Sequence, residues 1–82
     1  TDDLKRSLGL RNESGNLAIS QVAANSSASE AGLRRLDIIR EVNGQEVKTL
    51  REFYSIVTEQ ADDDLVFRIG RQGHEVVIGI VR

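Results

Sequence analysis

The residues able to do covalent chemistry are few and poorly placed for it. His74 is the only histidine in the 82-residue chain, and a hydrolase needs a serine, a base and an orienting acid within hydrogen-bond reach of one another. His74 stands beside Glu75 in an alternating segment, so its simplest reading is a surface or edge-strand histidine. Serines recur in turn and helix-start contexts, without a G-x-S-x-G elbow or a Walker-type phosphate loop. There is no cysteine, which excludes disulfides and thiolate metal sites, and a single histidine is too few for a histidine-based zinc site. Asp62-Asp63-Asp64 lacks the spaced acids, glycine and terminal glutamate of a calcium loop, and reads as a solvated helix stop. Asn12-Glu13-Ser14 and Asn25-Ser26-Ser27 match the glycosylation acceptor pattern, but serve as well as turn and cap residues. No catalytic residue, metal ligand or cofactor is assigned. The chain reads as non-enzymatic.

Composition narrows the remaining roles. Eighty-two residues with 39% hydrophobic content support one domain and one modest core. Eleven basic against 13 acidic residues give a net charge of −2, which offers no basic field for nucleic acid or an anionic membrane. No apolar run approaches the roughly 20 residues needed to span a bilayer, and no signal peptide opens the chain. The start at Thr1 without a methionine suggests a piece of a longer protein. The lack of cysteine suits an oxidising envelope compartment and the cytosol equally.

The elements follow from periodicity and punctuation. Thr1–Leu10 reads as a short helix, capped by Thr1, with Leu4 and Leu8 on one face and Gly9 as its stop. Arg11–Asn16 reads as a turn cluster, and Leu17–Val22 as a strand. Ser27 and Glu30 form a capping box for a helical turn ending at Gly32. Ile38–Val42 is extended, Asn43-Gly44 a tight turn and Gln45–Val47 a short return. Thr49–Ala61 is the clearest helix: Thr49 and Glu52 make a second capping box, and Leu50, Phe53, Tyr54 and Val57 recur at i, i+3, i+4 and i+7, with Ile56 widening the stripe. Leu65–Ile69 alternates as a strand, Gly70–Gly73 turns, and His74–Val81 returns with Val76, Ile78 and Ile80 on one face. The predicted architecture is a small α+β domain, a partly open antiparallel sheet with a helix laid across a gap.

The run Gln21–Ile39, which contains Ser29-Glu30-Ala31-Gly32-Leu33 and Asp37-Ile38-Ile39, followed by Val42-Asn43-Gly44-Gln45-Glu46-Val47, resembles the signature of bacterial PDZ domains. The opening Asp3–Leu10 resembles the segment typical of HtrA/Do envelope serine proteases. The resemblance covers nearly all of residues 1–82, a single PDZ domain of the circularly permuted bacterial type. Site-two proteases, tail-specific proteases and type II secretion proteins carry similar modules. Two departures stand out. Leu36 occupies the place where the family has glycine before the aspartate; either the turn avoids positive φ or a leucine is held there at some cost, and a drifted loop is the simpler reading. The family also captures a peptide C-terminus on an x-Φ-G-Φ loop. If Asp2–Leu8 is the helix that follows this loop, the loop lies upstream of Thr1. If instead Ser7-Leu8-Gly9-Leu10 is the loop, Leu10 begins a very short binding strand. The first register fits the full opening segment better.

What the resemblance implies is peptide capture by β-augmentation, a guest strand added beside a helix whose side chains form pockets. The site residues so implied are Phe53 and Val57 facing the peptide, Leu50 and Ile56 more core than groove, and Leu8, Gly9 and Leu10 at the loop. Partners would be peptides or unfolded chains with apolar C-terminal residues, and a catalytic protease domain in cis. The implied setting is the periplasm, in protein quality control. The isolated fragment is expected to be a monomer.

Overall fold

In the computed structural model, residues 6–60 and 63–81 are described. Their order is β1 (Leu8–Glu13), β2 (Asn16–Val22), α1 (Ser27–Ala31), β3 (Ile38–Val42), β4 (Gln45–Glu46), α2 (Leu50–Glu59), β5 (Leu65–Arg71) and β6 (His74–Ile80). The strands form an antiparallel sheet in the order β1-β2-β3-β5-β6, with β4 paired to β3 beside that path. β1 and β6 are therefore the outer strands. The expected open antiparallel sheet with two short helices is the observed architecture.

Three hairpins share one device. Ser14-Gly15, Asn43-Gly44 and Gln72-Gly73 all place both turn residues at positive φ, between 50° and 82°. Two consecutive left-handed residues give a turn whose twist matches that of the flanking strands, and glycine at the second position tolerates it without a Cβ clash. Of these, only Asn43-Gly44 is an obvious signal in the sequence. The Ser14-Gly15 turn corrects the reading of the opening segment. Arg6 and Ser7 are helical, but Leu8, Gly9 and Leu10 already belong to β1, and Arg11–Glu13 continue it in place of the expected turn cluster. Thr1–Lys5 lie outside the described residues. The competing pattern that won is the alternation of Leu8 and Leu10, reinforced by pairing along β2 from Leu8↔Val22 to Glu13↔Asn16.

Helix ends follow local capping chemistry. In α1 the cap is Ser26 rather than Ser27: its hydroxyl accepts from Ser29 N–H at 3.1 Å, and Gly32 closes the helix at φ 106°. α2 begins as expected. The Thr49 hydroxyl accepts from Glu52 N–H at 3.1 Å, and the Glu52 carboxylate accepts from Thr49 N–H at 3.1 Å and Lys48 N–H at 2.9 Å. These bonds, the Lys48 one foremost, hold the Glu52 pKa below the ordinary glutamate range. Its end comes at Glu59 with Gln60 as cap, before the acidic run. Ala61 and Asp62 lie outside the described residues. The turn after β5 is tighter than expected, since Gly70 and Arg71 still pair with Glu75 and His74.

The core lies between the sheet and α2. Leu17 and Ile19, and Leu65, Phe67 and Ile69, come from alternate strand positions, Ile39 and Val42 from either side of an irregularity in β3, and Phe53 and Val57 from the helix; all are essentially fully buried. Phe53 meets Phe67 edge-on at 6.1 Å between ring centroids, a favoured arrangement for aromatic pairs.

Candidate functional site

Two polar hubs pin the ends of β3 and thereby set where α2 sits. At its start, the Asp37 carboxylate is buried and accepts two bonds from Arg71, at 2.9 and 2.7 Å, and one from Arg34 N–H at 2.9 Å. Arg71 also donates to the Gly32 carbonyl at 2.7 Å, tying the end of α1 to β5. The pairing with Asp37 raises the Arg71 pKa further above its already high value. At the other end, Asn43 donates through its amide to Gln60 and to the Asp64 carbonyl, and its side-chain oxygen accepts from Val66 N–H at 2.7 Å. The β3–β4 turn is thus fastened to the last turn of α2 and the first of β5. This second hub was not read from the sequence, where Asn43 signals a turn alone.

With its ends held, α2 packs beside β1. β1 is an outer strand with β2 as its only strand neighbour among the described residues. Leu8 is buried, and Gly9 and Leu10 are half-buried. A bulge shifts the register between Gly9 and Leu10, so that Gly9 opposes Gln21 while Leu10 opposes Ile19. Ser20 is the residue left over. Its Oγ would stand 2.8 Å from a Cβ at position 9, and the Gln21 Cβ 3.2 Å from it, so a side chain there would make Ser20 turn away and Gln21 give slightly; close approach, and not its own dihedral angles, is what favours Gly9.

The helix residues divide differently from expectation. Phe53, with none of its surface exposed, and Val57, with 1% exposed, face inward. In this structure neither offers surface to a guest, because the ring of Phe53 is enclosed by the core and by Tyr54 at 5.8 Å. Ile56 is also buried, as expected. Leu50, expected to be core, is instead half-buried, as is Tyr54, and both pack against the edge of the core. The half-buried apolar residues on β1 and α2 are thus Leu10, Leu50 and Tyr54. A helical stripe specifies which residues share a face, but not how deeply each is covered.

Leu36 resolves the other open question. Its φ is 79°, so a leucine is held in the left-handed conformation at the place where glycine was expected, and the reading of a loop drifted away from it is set aside. Leu36 N–H donates to the Ile19 carbonyl and Ile19 N–H donates to the Asp37 carbonyl, both at 2.8 Å. This backbone pairing, together with the Asp37 hub, imposes the turn whatever the side chain.

The PDZ family profile matches residues 18–71. The chain belongs to the PDZ family. Among curated proteins, it is 38% identical over 80 residues to a probable periplasmic serine endoprotease DegP-like of Marinomonas sp. (strain MWYL1), covering 96% of this chain and 17% of that protein. It is 37% identical over 57 residues to the probable protease eep of Enterococcus faecalis, covering 70% of this chain and 14% of that protein. The PDZ domain therefore spans about a sixth or less of each of these relatives. Among solved structures, the HtrA3 PDZ domain bound to a phage-derived ligand (FGRWV) superposes with a TM-score of 0.81 at 21% identity, covering 92% of this chain and 80% of that one. The HtrA-type protease AlgW (S227A) with a decapeptide gives 0.82 at 15% identity, covering 92% of this chain and 27% of that one. A PDZ domain is a non-catalytic module.

Proposed function

We propose that this PDZ domain captures the extended C-terminal segment of a polypeptide by adding it as a strand to the outer edge of β1, alongside α2. The observation that carries the reading is an outer strand with no strand beyond it among the described residues, next to a helix edged with half-buried apolar side chains. Backbone bonds to β1 supply affinity, and Leu10, Leu50 and Tyr54 select an apolar end. The start of β1 at Leu8, on the edge beside α2, supports Ser7-Leu8-Gly9-Leu10 as the loop that receives the terminal carboxylate. Phe53 and Val57 support this wall from behind.

The parent is an HtrA/Do-like serine endopeptidase of the bacterial envelope, whose catalytic domain lies in cis and to which this domain delivers or signals substrate. What supports this is the match of 96% of this chain to part of a DegP-like protease and the peptide ligands of the HtrA-type neighbours. A second reading has its own observation: the match to the probable protease eep favours a PDZ module in another class of PDZ-containing protease, serving assembly rather than substrate delivery. The sequence upstream of Thr1 separates them, a trypsin-like domain with its Ser, His and Asp in one case and a membrane anchor in the other.

The test of binding is an NMR titration with a five-residue peptide ending in valine, as free acid and as amide. The free acid is expected to shift the amides of Leu8–Glu13 and of α2, and the amide to bind much more weakly. Equal binding would remove the carboxylate loop from Ser7–Leu10. Shifts confined to other elements would remove the site.

A further inference from the structure

The turn between α1 and β3 presents Arg34, Arg35 and Leu36 to solvent. Leu36 is 70% exposed, although its backbone occupies the left-handed region at φ 79°. Glycine would adopt the same turn without the clash between Cβ and the following carbonyl. The pairing with Ile19 and the Asp37 hub hold the turn against that clash, so the leucine is displayed by the fold and contributes nothing to its packing. Leu36 also stands as a ridge between two hollows. One, of about 250 Å³, includes Arg40 and Glu75; the other, of about 210 Å³, includes Arg11, Glu13 and Arg35. Arg11 is paired with Glu13, whereas Arg34, Arg35 and Arg40 have no ion pair among the described residues. The ridge is an apolar tip in a positive surround.

A surface of opposite character lies on the flank of α2 toward β4. A cleft of about 340 Å³ is lined by Glu46, Glu52 and Glu59, with Arg51 as an opposing charge and the buried Ile56 as its apolar floor; Glu46 is also paired with Lys48 at 3.9 Å, an exposed and hence weak pair. Ser55 donates to Glu59 there, and the capping box fixes the Glu52 carboxylate.

We propose that the Arg34-Arg35-Leu36 turn of one copy of this chain seats in the acidic cleft of a second copy, with Leu36 over Ile56 and the arginines against Glu46, Glu52 and Glu59. The contact joins different patches, so it is heterologous and leaves one turn and one cleft free at the ends of any assembly that does not close into a ring. It is small, and hence weak: the dilute chain is a monomer, and association sets in at roughly 0.1–1 mM. Copies held together by a larger assembly would meet it at a high effective concentration. The proposal is independent of the peptide site.

Sedimentation velocity over a concentration series of the 82-residue chain tests it. The average mass is expected to rise with concentration and to fall back in high salt, which screens exposed charges. Two variants separate the halves of the contact. Leu36→Gly removes the ridge while relaxing the backbone, so a loss of association cannot be a loss of fold. Glu59→Arg reverses a charge in the cleft at an exposed helix position. Each alone is expected to stay monomeric. Their equimolar mixture is expected to form a dimer and nothing larger, because one intact turn then meets one intact cleft. A wild-type chain that stays monomeric throughout, variants that associate as it does, or a mixture that remains monomeric would each overturn the proposal.

Discussion

The two flanks of α2 show how one ten-residue helix serves unlike surfaces. The Leu50–Tyr54 side is apolar and half-covered, and α2 lies next to an outer strand. Toward β4 the helix shows Arg51, Glu52, Ser55 and Glu59 over Ile56. Phe53 and Val57 lie between them and are buried completely or nearly so. The difference teaches that the core-facing residues hold the helix, while in the proposed binding mode selectivity falls to residues only partly covered. Side chains with no exposed surface cannot tell one guest from another.

The sharpest way to break this comparison is Phe53→Ala. As a core residue it should destabilise the domain by about 3–5 kcal/mol in a urea titration; a loss below about 1 kcal/mol, with peptide affinity reduced, would return Phe53 to the groove. Next, Tyr54→Ala should weaken binding of an apolar-ended peptide by on the order of 1–2 kcal/mol, whereas Glu59→Gln should leave it unchanged by isothermal calorimetry. Equal effects would erase the distinction between the flanks. Asn43→Ala frees the last turn of α2 and the Val66 N–H. A loss of about 0.5–1.5 kcal/mol is expected, because water can reach the freed Val66 N–H, with faster amide exchange at Gln60 and Val66. Leu36→Gly should raise stability by about 0.5–1 kcal/mol, the strain relieved less the added freedom of the unfolded chain. The smallest effect is on pH. Because the Glu52 pKa is depressed in the folded state, its contribution is present above the ordinary glutamate pKa and is lost as pH falls through the lowered value. Fraying of the first turn of α2 in acid, followed by NMR, should lose this component in Glu52→Gln.

Much of the fold was legible because its signals are local. The Thr49–Glu52 box, the Asn43-Gly44 turn and the alternation of Leu65–Ile69 each carry their own physical reason within a few residues. The opening segment was misread because Leu8 satisfies two periods at once, with Leu4 at helical spacing and with Leu10 at strand spacing. Only pairing with β2, a tertiary fact, decides between them. The candidate site was half legible. α2 was read correctly and β1 was not, and depth of burial depends on what the sheet places opposite each side chain. Phe67 opposite Phe53 cannot be read from either residue alone. Leu36 marks a different limit: its neighbours Ile19 and Asp37 dictate the turn, so a local preference against positive φ is overruled.

The bulge at Ser20 has a consequence beyond the glycine it favours. An uncapped strand margin is a standing invitation to stack sheet on sheet into insoluble fibres. An added residue bends and over-twists the ribbon just where Leu8 and Leu10 lie, so a second flat sheet cannot match it along its length. A single flexible chain can still follow the curve. By the same physics the kink would leave the border open to the proposed single-strand guest while disfavouring sheet-to-sheet association.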